Sequence, residues 1–71
     1  MGLIEDLADE LSGDVIAALD EMGDDRFYEK VAQSIGALSP TLQEAFMTSV
    51  RLRLAERRGR RFFETELARA R

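Results

Sequence analysis

Residues 51–64, RLRLAERRGRRFFE, place six arginines and two adjacent phenylalanines in fourteen positions of a chain whose net charge is −4. Two kinds of chemistry fit those types at that spacing. Arg51, Arg53, Arg57, Arg58, Arg60 and Arg61 could neutralise phosphates while Phe62 or Phe63 stacks on an unpaired base. Alternatively, Phe62, Phe63 and Leu67 form the apolar face of a helix that binds a protein. Arg57, Arg58 and Arg61 then sit at its rim, where guanidinium groups pair with carboxylates. A third arrangement folds the two phenylalanines back onto the chain's own core.

Reaction chemistry has little to work with. The chain contains no histidine and no cysteine, which removes the commonest general base, the thiolate nucleophile and the usual ligands of zinc, haem and iron–sulfur clusters. Carboxylates remain, but their helical spacing puts them on a solvent face rather than in a cleft that would shift their pKa values. The loop DEMGDD, residues 20–25, gathers four acids around Gly23. It lacks the alternate oxygen ligands and the twelfth-position glutamate of a calcium-binding loop, and reads as a helix cap and turn. No enzyme activity, cofactor or metal is expected.

The net charge conceals a division. Residues 1–36 hold ten acids against Arg26 and Lys30, a balance of −8, whereas residues 37–71 hold four acids against eight arginines, a balance of +4. Opposite halves of this kind either face each other, within one molecule or between two copies, or offer the basic half to an external polyanion. The acids Asp6, Asp9, Glu10, Asp20 and Glu21 make an acidic face on the first helix. Such a face can also imitate nucleic-acid phosphates and occupy a basic groove, as some phage anti-CRISPR inhibitors do, an analogy of function and not of sequence.

These groups must be positioned by helices. Ile4, Leu7, Ala8, Leu11, Val15, Ala18, Leu19 and Met22 fall on one stripe at 3.6 residues per turn, with Asp6, Asp9, Asp20, Glu21 and Gly13 on the outer side. This spacing predicts a helix over 3–22. Gly23 suits its left-handed C-terminal cap, and Asp24 or Asp25 can accept from the first amides of the next helix. Phe27, Tyr28, Val31, Ile35 and Leu38 define a second helix, over 25–37. Ser39–Pro40 is a strong start signal for a third, since Ser is a good N-cap and Pro at the first helical position loses no needed donor.

The third stripe runs Leu42, Phe46, Val50, Leu54, with Ala45 and Ser49 beside it. Beyond Leu54, at about 100° per residue, Ala55, Phe62, Phe63 and Leu67 fall on roughly the opposite side, and Arg57 and Arg61 take the sector the earlier stripe would have reached. Either one long helix changes its packing partner, or it breaks near Gly59 into helices over 40–58 and 60–70. A helix-turn-helix reader would need a second helix after a short turn here, and residues 39–54 are followed by continuous charge instead.

The fold class is therefore all-α: a small bundle of three to four helices forming a single domain, 1–71. At this length folding hides only about 60–65% of the unfolded chain's surface, so dense packing or association must supply stability. The acids at positions 5, 6, 9 and 10 interrupt the basic start and apolar run a secretory signal needs, and a cytoplasmic protein is expected. The expected function is that of a small non-enzymatic interaction protein, a regulator or inhibitor that binds a partner protein and forms a homodimer. Its alternatives are a DNA- or RNA-binding regulator using the arginines of 51–61, and the acidic nucleic-acid mimic.

Overall fold

The computed structural model describes residues 2–71, which form three helices: α1 (Leu3–Met22), α2 (Phe27–Gly36) and α3 (Pro40–Ala70). The termini follow local chemistry. Gly23 closes α1 with φ 67°, the left-handed region in which a side chain would be strained, and its amide donates to the Leu19 carbonyl. Ser39 caps α3 by accepting from the Leu42 amide at 3.1 Å, one residue ahead of Pro40. Helix α2 is shorter than its periodicity implies. The Asp24 carboxylate accepts from the Arg26 amide at 3.0 Å, ahead of the first helical residue, so residues 24–26 are spent on the turn.

The separate fourth helix over 60–70 does not form. α3 runs through Gly59 for 31 residues, about 46 Å at 1.5 Å per residue, and accounts for the longest dimension of a molecule measuring 50 × 31 × 14 Å. Gly59 has no positive φ, no side-chain cap and nothing within 4 Å of where a Cβ would lie. One exposed helical glycine costs about 1 kcal/mol relative to Ala, whereas stopping there would strand four carbonyls and four amides. The Glu56–Arg60 ion pair also bridges the position.

Ala8, Val15, Ile16 and Leu19 of α1, Ala32 of α2, and Phe46 and Val50 of α3 make the core, with Phe27, Tyr28, Val31, Ile35, Leu42 and Leu54 packed around it. Phe46 and Val50 are wholly buried. α3 runs in the same sense as α1: the groove between them is lined by Glu5, Ala8, Ala45 and Thr48 at one end and by Gly13, Ala17, Arg53 and Arg57 at the other.

The buried face of α1 is rotated from its apolar stripe. Ser12 and Ile16 are buried, while Ile4, Leu7, Leu11 and Met22, all on the stripe, stay exposed. The cause is geometric: α2 spans only ten residues against the twenty of α1, so α3 is the principal partner of α1. Burial follows the side that faces α3. Among the described residues no helix is long and apolar enough to cross a membrane.

Candidate protein interface on the third helix

Two different surfaces occupy one helix. Up to Leu54, α3 is packed against α1 and α2; from residue 55 to 71 every residue is exposed. The extension carries large apolar groups in the open: Phe62 is 69% exposed, Phe63 60% and Leu67 37%. All three sequence-predicted apolar residues therefore lie together on the projecting half of α3. None folds back onto the core.

The arginines divide in the same way. Arg53, placed by its spacing with the phosphate-binding set, belongs to the bundle. Its Nη2 donates to a carboxylate oxygen of Asp9 at 2.7 Å and to the Asp9 carbonyl at 3.1 Å, and its Nε donates to Ser12 Oγ at 3.1 Å. Ser12 Oγ in turn donates to the Asp9 carbonyl at 2.9 Å and lies 2.6 Å from Ser49 Oγ, so this buried hydroxyl is fully partnered. Asp9 is thus not part of an unengaged acidic face: it ties α1 to α3.

Gly13 is explained by the same contact. It does not project to open solvent; a methyl group there would sit 3.2 Å from Cζ of Arg53. The missing side chain lets the guanidinium lie on the α1 backbone. Pairing of Ser12, Gly13 and Asp9 with Ser49 and Arg53 depends on how two helices cross, which periodicity within either helix does not reveal.

Arg60 is engaged along its own helix. Its Nε donates to Glu56 at 2.9 Å, and that hydrogen bond and the carboxylate's charge hold the guanidinium above the ordinary arginine pKa. Arg69 lies 3.9 Å from Glu66. Arg51, Arg57, Arg58 and Arg61 make no ion pair among the described residues, and neither do Asp6, Glu10, Asp20 and Glu21 on α1. The two charged regions are largely unmatched within the chain.

No family model, curated protein or solved structure matches this chain. What the surface can do is argued from its own geometry. Among the described residues no group of three or more His, Cys, Asp or Glu side chains is placed to hold a metal ion. The grooves are open and shallow, lined by helix surface and not enclosed. What α3 offers is an exposed helical ridge on which Phe62, Phe63 and Leu67 lie within two turns, flanked by Arg58 and Arg60, the form in which amphipathic helices are recognised by other helices.

Proposed function

We propose that this protein is a small non-enzymatic interaction protein, a regulator or inhibitor that acts by binding a partner protein through residues 55–71, and that it associates as a homodimer. The observation that carries the reading is the exposure of Phe62, Phe63 and Leu67 on the projecting half of α3. Covering large apolar side chains contributes about 1.5–3 kcal/mol each when complete, and a contiguous apolar face of this kind on a small domain marks a place of association. Arg58, one turn before Phe62, and Arg60 on the other flank supply the polar rim such interfaces use.

A protein partner fits better than nucleic acid. On the helical wheel Arg57, Arg61 and Arg58 lie within about 100° of one another, and Phe63 and Leu67 point to another side of α3, so the guanidinium groups and the rings do not together face one nucleic-acid strand. The acidic balance of residues 1–36 also opposes the approach of a polyanion. The test is sedimentation equilibrium of the wild type and of Phe62→Asp with Phe63→Asp, at micromolar concentration, beside mobility shift on random duplex and single-stranded probes. Self-association abolished by the double substitution, with no probe retained, is the expected result. Steeply salt-dependent probe retention would transfer the surface to nucleic acid.

A further inference from the structure

The seam on which α1 lies along α3 does not stop where α1 leaves it. Ala45, Ser49 and Leu52 line the groove against α1, and the same side of the helix continues, at steps of three or four residues, through Glu56, Gly59, Phe63 and Leu67. The first half of the seam lies against a helix of the same molecule; the second half, with Phe63 at 60% and Leu67 at 37% exposure, is bare.

α1 carries a ridge of matching period and length. Ile4, Leu7, Leu11, Ala18 and Met22 recur at steps of three, four or seven residues, and all but Ala18, which is half-buried, are exposed. Leu7 and Leu11 share a concavity with Leu42, bordered by Glu10 and Asp14. The ridge is acidic at its edge, and the extension that carries the bare seam is basic overall.

We infer that a second copy of the chain supplies the missing helix: the α1 ridge of one molecule packs along the α3 extension of the other, and the exchange is reciprocal. This rests on the reading of the extension as a protein-binding face and names what covers it. Charge selects this occupant over a second α3 extension. Residues 55–71 hold six arginines against three glutamates, so two extensions laid together would oppose like charges. α1 is its electrostatic opposite: residues 3–22 hold seven acids and no basic residue, and Glu10, Asp14 and Glu21 at the edge of the ridge have no ion pair among the described residues of their own chain. A two-fold arrangement makes both contacts at once, as self-complementary dimers do. Gly59, open to 4 Å, is where the incoming helix comes closest.

The experiment uses the full chain in three forms, followed by sedimentation: wild type, the extension variant Phe62→Asp with Phe63→Asp, and the ridge variant Leu7→Asp with Leu11→Asp. Both variants should be monomeric alone, with wild-type helical content by circular dichroism. They should associate when mixed, because each retains the half-interface that the other lacks. A ridge variant that dimerises like the wild type overturns the inference and leaves the extension's role intact, whereas a monomeric wild type overturns self-association altogether. If the ridge variant loses its helical signal, charge reversal at exposed positions carries the test. Glu10→Arg with Asp14→Arg, which reduces the acidic balance of α1 and leaves its apolar ridge in place, should weaken association about tenfold or more at low salt. Undiminished association overturns the choice of α1 as the occupant.

Discussion

The two halves of α3 are built from the same residue types and come to opposite ends. Between Pro40 and Leu54, a phenylalanine, a valine and an arginine are absorbed by neighbours: Phe46 and Val50 are wholly buried, and Arg53 is bonded to Asp9 and Ser12. Between 55 and 71, two phenylalanines and six arginines stay exposed. Propensity and composition do not separate the halves; angular register does. In the first half the apolar stripe points at the cleft between α1 and α2, and in the second it has moved round the helix, past the end of what those helices can cover. A residue's contribution here is set by where its Cβ points relative to two other helices.

The phenylalanines give that contrast its largest test. Phe46→Ala should cost about 3–5 kcal/mol, the usual range for emptying a core phenylalanine. A domain of 71 residues has only about 4–10 kcal/mol in all, so the variant should lose about a third of its stability or more and melt far earlier than the wild type by circular dichroism. Phe62→Ala, sixteen residues later on the same helix, should change the stability of the monomer by no more than about 0.5 kcal/mol. If the Phe62 variant melts as early as the Phe46 variant, the extension is packed on its own bundle and the contrast collapses.

The local signals at Gly23 and at Ser39–Pro40 were legible because each is decided within about four residues by φ and by one capping bond. The switch of the apolar stripe after Leu54 was legible too, since it follows from counting. Continuity through Gly59 was not: a lone glycine reads the same whether the helix stops or passes, and the outcome depends on the absence of a cap and on the Glu56–Arg60 pair. Burial of Ser12 and exposure of Leu7 and Leu11 also escaped the pattern. They are fixed by the shortness of α2, through which α3 becomes the main neighbour of α1. Among the candidate site residues, Phe62, Phe63, Leu67, Arg57, Arg58 and Arg61 are exposed, where their spacing left a return onto the core equally open, while Asp9 and Arg53 are held in an inter-helix contact that neither helix shows alone.

A smaller effect should separate the arginines. Arg53→Met removes three hydrogen bonds to α1. It should cost about 1 kcal/mol in thermal or urea unfolding, less than charged hydrogen bonds can contribute, because the Asp9 side chain is 71% exposed and solvent screens the pair. Arg58→Met, on the extension, should leave monomer stability unchanged while weakening association. Equal losses from both would mean that the extension arginines are engaged within the bundle.

The glycines give the finest comparison, and they must be compared in the Phe62→Asp, Phe63→Asp background so that association does not contribute to the melting curve. Both Gly13 and Gly59 have helical backbones, so propensity alone predicts about 0.5–1 kcal/mol of stabilisation from alanine at each. At Gly59 nothing lies within 4 Å of the new methyl, and the full gain is expected. At Gly13 the methyl meets the Arg53 guanidinium at 3.2 Å, and displacing it from Ser12 and Asp9 should offset most of the gain. Adding Arg53→Met should then restore the stabilisation at Gly13 and leave Gly59→Ala untouched, a coupling that a double-mutant cycle reads directly. Returned to the wild-type background, Gly59→Ala takes on a second meaning. A methyl group on the seam holds an incoming helix away, so a variant that is more stable as a monomer and weaker as a dimer would locate the partner's closest approach at Gly59.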